Sequence, residues 1–158
     1  MVFALTPGNA ALAETAAAKP AAAWPPAEFL GRWTGEGRLG FAEGKFETVK
    51  CRVTYFAGEA ATLKQNVRCA TAGANIDVKS AISNGGGKLS GAWEETVYNI
   101  KGDISGQQTA KGFRVQVKSD ALSANMDLIL NGNAQLIEIQ FFNSTLMGLT
   151  MSLIKDQP

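Results

Sequence analysis

One stretch of the sequence, residues 46–70, constrains the fold more than any other part of the chain. Within it, two runs alternate apolar and polar residues, and Gly58, Glu59 and Ala60 stand between the runs. Alternation with a period of two is typical of β-strands that bury one face and expose the other. A short link that contains glycine favours a tight reversal of the chain. The stretch therefore predicts a β-hairpin.

Both cysteines of the chain, Cys51 and Cys69, lie within this hairpin. If the strands pair symmetrically about residue 60, Cys51 faces Cys69 and Tyr55 faces Gln65, all on the apolar side. Directly opposed residues of an antiparallel pair have Cβ atoms about 4.5–5.5 Å apart, which is close to disulfide geometry. We therefore predict a disulfide, and the alternative is two free thiols in the core. A metal site is disfavoured, because two cysteines stand in a chain without histidine.

The rest of the chain repeats this alternation between short turn segments, and no stretch after residue 30 keeps a helical period. We count ten strands with short links, which predicts an antiparallel meander. An even count lets the first and last strands pair and close the sheet. The predicted fold is therefore all-β, a single antiparallel up-and-down β-barrel of about ten strands with one disulfide. Its inward set is almost wholly apolar, which predicts a dry interior with four large fillers: Trp33, Tyr55, Trp93 and Phe113.

The first 26 residues differ in composition from the rest, because they are rich in alanine and proline. Ala11, Leu12 and Ala13 form a small-x-small site typical of signal-peptidase cleavage. We therefore predict a remnant of a secretory signal peptide over 1–13, an Ala/Pro linker over 14–26 and the β-barrel domain over 27–158. A periplasmic or secreted location agrees with the disulfide, which requires an oxidising compartment. The alternative is a disordered N-terminal segment that carries no targeting signal.

Composition argues against several classes of function. The formal net charge of +1 gives no electrostatic footprint for nucleic acid. The absence of histidine removes the commonest general base and the commonest metal and haem ligand. We therefore expect a protein that is not an enzyme and holds no cofactor. No apolar run is long enough to cross a bilayer as a helix, so we expect no transmembrane segment.

Gly31, Arg32 and Trp33 stand at the head of the first predicted strand, after a short helical turn at 25–30. This element resembles the G-x-W element of lipocalins and other calycins, in which the tryptophan plugs the closed end of the barrel. The resemblance implies that Lys155, near the end of the last strand, packs over Trp33, although arginine is more usual there. The wider pattern also resembles a set of small exported alphaproteobacterial proteins. Haem chemistry known from some calycins has no counterpart here, because the proximal histidine is missing.

The inward phase of the alternation supplies the candidate ligand-binding residues: Tyr55, Gln65, Trp93, Glu95 and Met126. Glu95 is either a buried carboxylate with a raised pKa, which would mark a functional site, or a residue that is solvent-exposed or paired with a basic side chain. Gln65 and Tyr55 are either a satisfied polar pair or a pair that orients a ligand. The sequence leaves open whether the barrel is hollow or filled.

These residues favour a periplasmic, non-catalytic carrier or sensor that holds a small apolar ligand inside the barrel. The alternative is a protein-binding module of the cell envelope, such as a secreted-enzyme inhibitor that acts through its loops.

The outer face of the hairpin carries a stripe of four basic residues on one side: Lys50, Arg52, Lys64 and Arg68. This stripe is either a contact for an anionic partner or a solvated face.

Overall fold

A computed structural model describes residues 23–157 as a barrel that follows the predicted meander. A 3₁₀ turn, Ala27–Phe29, precedes the first strand, and another, Ala42–Gly44, follows it. The ten strands are β1 Gly31–Phe41, β2 Phe46–Ala57, β3 Thr62–Ala70, β4 Asn75–Gly85, β5 Lys88–Glu95, β6 Ile100–Thr109, β7 Gly112–Lys118, β8 Ser123–Asn131, β9 Ala134–Phe142 and β10 Leu146–Lys155. The all-β prediction with about ten strands is confirmed.

Every strand pairs antiparallel with its neighbours in the sequence, and β1 pairs with β10 to close the barrel. At this seam Trp33 lies opposite Lys155. Two glycines of β1 face inward along the same seam, and a Cβ added at Gly35 would overlap the backbone oxygen of Ser152. The glycines that interrupt the first strand pattern therefore permit a close approach of two backbones, as glycine in a strand often does.

The central hairpin has the predicted register. Cys51 lies opposite Cys69, Tyr55 lies opposite Gln65, and the two cysteines form a disulfide. Both cysteine side chains are buried on the inner face of the sheet. The predicted bridge between β2 and β3 is therefore confirmed. The alternation predicts a fifth strand over 88–99, whereas β5 ends at Glu95 and Asn99 adopts a φ of 56° in the following turn.

We call the end of the barrel that carries the turn Ala27–Phe29 and the links 58–61, 86–87, 110–111 and 132–133 the sealed end. Trp33 is fully buried there, and its indole Nε1 donates to the backbone oxygen of Phe29 over 2.8 Å. Lys155 Nζ lies 5.5 Å from the centre of the Trp33 ring and donates to the backbone oxygen of Glu28. The expected plug of tryptophan under a basic residue is therefore present.

The packed unit begins before residue 27, inside the stretch assigned to the linker. Trp24 is half-buried, its Nε1 donates to the backbone oxygen of Ile82, and its ring centre lies 5.7 Å from that of Phe113. An indole of this size has enough apolar surface to dock on the sealed end, which alternation alone did not indicate. The predicted signal remnant over 1–13 and the linker as far as residue 22 lie outside the described residues.

Candidate ligand site in the open half of the barrel

The two halves of the barrel interior differ in how completely their side chains are buried. We call the end opposite the sealed end, with the links 42–45, 71–74, 96–99, 119–122 and 143–145, the open end. Most inward apolar residues of the sealed half are 0–3 % exposed, among them Val53, Leu63, Ile82, Phe113 and Leu128, whereas Leu130 is half-buried. In the open half Val49, Ala124 and Leu149 are buried. A larger set of inward apolar residues there is only half-buried: Leu39, Val67, Val78, Val117, Met126, Ile139 and Phe141.

The contrast between the halves is a tendency and not a strict gradient. On β8, Leu128 is buried and Met126 is partly exposed, but Ala124, nearer the open end, is buried and Leu130, nearer the sealed end, is half-buried. Met126 pairs with Ile139, and the next inward pair, Leu128 with Ile137, is buried. We call the inner wall of the open half around Met126, Ile139 and Phe141 the cup.

A polar chain of four hydrogen-bonded side chains inside the barrel joins β4, β3, β2 and β9. Ser80 Oγ donates to Gln65 Oε1 over 2.9 Å, and Gln65 Nε2 donates to the Tyr55 hydroxyl over 3.3 Å. Tyr55 then donates to Gln135 Oε1 over 3.1 Å. The expectation of an apolar interior is therefore wrong in this region, where polar side chains face inward. Hydrogen bonding between the four groups offsets the cost of burying them.

Tyr55 sits near the bottom of this chain, where its ring packs edge-on against Phe29. Burial raises the pKa of the Tyr55 phenol well above its ordinary value of 10.0, although the hydrogen bond that it donates to Gln135 and the one that it accepts from Gln65 act in the opposite direction. The phenol therefore stays protonated and remains a hydrogen-bond donor.

Two members of the polar chain, Gln135 and Ser80, were not predicted as inward polar residues, although their position in the sequence pattern indicated it. Gln135 shares its phase with Ile137 and Ile139, and Ser80 lies between the inward residues Val78 and Ile82. A polar residue in an apolar phase is the same sign that marked Gln65. What alternation does not give is the partner across the barrel, because that depends on the closure of the sheet.

Trp93 and Met126 occupy the positions that their phase predicts. Trp93 is cross-strand neighbour to Ser80 and is buried at the level of the cup. Its indole Nε1 has no hydrogen-bond partner among the described residues and lies against Gly102, where a Cβ would come within 2.9 Å. Met126 lines the wall of the cup. Trp93 thus lies beside the polar chain and Met126 lies beside Ile139, and the role of both in binding stays a prediction.

Glu95 has a different environment from either of the two that the sequence suggested. It is buried, and its two carboxylate oxygens accept backbone N–H groups of Asp77, Val97 and Tyr98 over 2.6–2.9 Å. Burial acts to raise the pKa of this carboxyl, but the three N–H donors outweigh burial and lower the pKa below its ordinary value of 4.5. The alternative of a raised pKa is wrong, and so is the alternative of a wet or cation-paired residue. Glu95 holds the link 96–99 in place at the open end.

The basic stripe on the outer wall is partly neutralised. Arg52 lies opposite Arg68, as predicted, and Arg68 forms an ion pair with Asp77 over 3.2 Å. Lys50 lies 3.7 Å from Glu36, with both side chains largely exposed. Exposed pairs of this kind contribute little to stability. A contact of Lys50, Arg52, Lys64 and Arg68 with an anionic partner stays a prediction.

The outer wall also carries concave surfaces. One of about 980 Å³ spans β6 to β10 around the ion pair between Arg114 and Asp127. Another of about 710 Å³ is flanked by Lys64, Lys79 and Lys101. Both are lined mainly by outward-facing residues, but their linings also include residues of the inward phase, Ile139 in the first and Ser80 and Trp93 in the second.

Within residues 23–157, no group of three or more acidic or cysteine side chains is arranged to hold a metal ion. Among the same residues, no helix has the length and apolar character needed to span a bilayer.

Comparison with known proteins identifies solved structures that share this fold. No protein-family model and no curated protein sequence matches the chain. Among solved structures, Rv2717c from M. tuberculosis aligns with a TM-score of 0.67 and 10 % identity over 83 % of this chain and 94 % of that one. The S-type phycobiliprotein lyase CPES from Guillardia theta aligns with a TM-score of 0.58 and 10 % identity over 83 % of this chain and 90 % of that one. At such low identity these likenesses show the fold, a calycin-like barrel.

Proposed function

We propose that this protein is a non-catalytic binding protein, a carrier or sensor, that holds a small apolar molecule in the open half of its barrel. The observation that carries the proposal is the set of half-buried apolar residues that face inward, most of which lie in the open half. Soluble proteins rarely leave a concave apolar surface open without a use for it. The sealed half is filled by side chains, so the ligand occupies only the cup.

Burial of the ligand supplies the binding energy. A one- or two-ring molecule that loses about 200 Å² of apolar surface to the cup gains about 5 kcal/mol at 25 cal/mol per Å². This gain suits a reversible carrier, because release then needs no large change in the barrel. The mechanism requires no proton transfer, since the carboxylate of Glu95 is held by the backbone and the phenol of Tyr55 stays protonated.

The experiment that tests this function uses N-phenyl-1-naphthylamine, an uncharged dye whose fluorescence rises in apolar surroundings. We expect saturable binding to the wild-type protein. Met126→Trp fills the cup and should weaken binding at least tenfold. Ile129→Trp is the matched control, because Ile129 lies on the same strand but faces outward with 41 % of its surface exposed. Equal binding by the two variants, or no binding by the wild type, would overturn the proposal.

We also place the protein in the periplasm or outside the cell. The support is the disulfide between Cys51 and Cys69 together with the small-x-small site at residues 11–13. Fractionation of the native host and alkylation of free thiols provide the test. Recovery of a reduced protein in the cytoplasm would refute this location.

A second candidate function is binding of another envelope protein through the loops of the open end. Several apolar side chains at this end point into solvent, among them Phe46, Val97 and Tyr98, each more than half exposed. Loops presented by a rigid barrel are common protein-binding elements. Under this alternative, a double change of Val97 and Tyr98 to serine weakens binding of the partner protein but leaves dye binding intact, whereas Met126→Trp has the opposite pattern.

A further inference from the structure

Basic residues on the outer wall of the barrel surround one pair of uncharged polar residues. The pair is Thr54 on β2 and Asn66 on β3, which lie directly opposite each other and are both half-buried. Five cations occupy the neighbouring outward positions on β1 to β4, and all five are exposed. We call these five residues the basic ring: Arg32, Arg52, Lys64, Arg68 and Lys79.

Strand register brings the basic ring together. Arg32 is the cross-strand neighbour of Thr54, and Lys79 is the cross-strand neighbour of Asn66. The other three members lie two residues from this pair along β2 and β3. Neighbouring strands are about 4.8 Å apart and two residues of a strand span about 6.7 Å, so every member starts within about 7 Å of the pair. Arg32 and Lys79 lie outside the hairpin, so the alternation of the hairpin alone did not indicate the ring.

The basic ring contains two like charges in direct opposition. Arg52 lies opposite Arg68, an arrangement that destabilises a sheet. Arg68 has an ion pair with Asp77, whereas within residues 23–157 no other member of the ring forms one. A local arrangement that lowers stability and is not compensated within the fold is expected at functional sites. The ring therefore has positive charge available for a partner.

The surroundings of the basic ring limit the size of that partner. Four carboxylates border the ring on β1, β4 and β5 and after the last strand: Glu36, Asp77, Glu94 and Asp156. An anionic polymer or bilayer would meet these carboxylates together with the ring and would be repelled by them. A compact anion that lies over Thr54 and Asn66 would meet mainly the cations. The charge pattern therefore favours a small anion with more than one negative charge.

We propose that the basic ring binds the phosphate group of a small soluble ligand, with the Thr54 hydroxyl and the Asn66 amide donating hydrogen bonds to it. A phosphate monoester carries a charge of about −1.5 to −2 at pH 7, more than a carboxylate does. Arginine side chains suit this group because the guanidinium donates two parallel hydrogen bonds to it. Phe56, which is 40 % exposed and lies opposite Lys64, gives an apolar contact for the body of the ligand. The site lies outside the barrel and is independent of the carrier function.

The test uses inorganic pyrophosphate, a compact multivalent anion, as the probe. Calorimetric titration of the full chain at pH 7 and low salt should show binding to a single site. Affinity should fall at least fivefold when sodium chloride rises from about 20 mM to about 150 mM, because the Debye length then shortens to about 8 Å.

Arg52→Gln removes one member of the basic ring and should weaken pyrophosphate binding at least fivefold. Arg38→Gln is the matched control, because Arg38 is an exposed arginine on β1 that lies over the Phe46 ring, away from Thr54 and Asn66. The control should change the affinity less than twofold. Without the anion, Arg52→Gln should melt no lower than the wild type, since the opposition to Arg68 is relieved. Binding of N-phenyl-1-naphthylamine should be the same in both variants.

The outcomes decide between a compact ligand, an extended partner and no site. A wild type that does not bind pyrophosphate, or equal weakening by the two variants, overturns the phosphate site. Vesicles of phosphatidylcholine with and without phosphatidylglycerol form the second arm. Binding to the anionic vesicles that needs Arg52, without binding of pyrophosphate, would assign the ring to a membrane surface and refute a small soluble ligand.

Discussion

The sealed and open halves of this barrel are built from the same strands and are stabilised in different ways. In the sealed half, aromatic side chains pack to almost complete burial under a short 3₁₀ turn, with Phe29 between Tyr55 and Phe113. In the open half, inward residues keep part of their surface exposed, and a disulfide and a backbone-capping carboxylate hold the edges. One end is thus stabilised mainly by packing, and the other also by local constraints.

The difference suggests how the open half keeps its shape with fewer fully buried residues. Apolar surface left exposed in the open half gives up part of the hydrophobic free energy that the sealed half gains. Constraints that need no burial compensate for this loss. The disulfide joins β2 to β3 one residue before β3 ends at Ala70, and Glu95 fixes the link 96–99.

The largest expected effect comes from removing the same side chain in each half. Phe113→Ala deletes a ring that is 1 % exposed and should reduce the free energy of unfolding by about 3–5 kcal/mol. Phe141→Ala deletes a half-buried ring near the open end and should cost about half as much. Chemical denaturation of both variants provides the measurement. Equal losses would abolish the contrast between the halves.

The next-largest loss of stability is expected on removal of the disulfide. Changing Cys51 and Cys69 together to alanine should lower the free energy of unfolding by about 2–4 kcal/mol, because the bridge restricts the unfolded chain. Thermal melts of the wild type with and without a reductant form the control, since the variant should not respond to reductant. A wild type that melts at one temperature under both conditions would contradict a stabilising bridge.

Loss of the Glu95 carboxylate should cost less, about 1–2 kcal/mol, because Glu95→Gln keeps one acceptor oxygen for the link. The pKa of Glu95 is lowered in the folded protein, so its stabilisation is present above pH 4.5 and is lost as the pH falls through the lower folded value. The difference in melting temperature between wild type and Glu95→Gln should therefore shrink towards acid pH. The exposed neighbour serves as the control, since Glu94→Gln should leave the pH profile unchanged.

The smallest effect is expected at the plug of the sealed end. Lys155→Met removes the ammonium over the Trp33 ring and its bond to the Glu28 backbone, and should cost below about 1 kcal/mol. Lys155→Arg should restore or slightly exceed wild-type stability, because a guanidinium stacks well on an indole. A loss as large as that of Phe113→Ala would show that the sealed end depends on charge as much as on packing.

Much of the barrel could be predicted from residues that repeat with a period of two. The register of the central hairpin, the partner of each cysteine and the place of Trp33 follow from local patterns, because side chains of a strand alternate strictly between faces. The limits of β5 could not be predicted in this way, since Val97 continues the phase of the strand while the carboxylate of Glu95 bends the backbone at that point into a turn.

The candidate site was predictable only in part. Phase placed Tyr55, Gln65, Trp93, Glu95 and Met126 on the inner face, but it gave no information on the side chains that meet across the barrel. Gln135 reaches Tyr55 from a strand 80 residues away, and only the closure of β1 onto β10 brings the two together.

The amino-acid sequence by itself determined which face of each strand points inward, because the covalent geometry of an extended chain fixes that alternation. Only the tertiary structure decided which inward residues are packed and which meet solvent. That distinction depends on how the closed sheet and the turn before β1 fill one end of the enclosed volume, and no single strand carries this information.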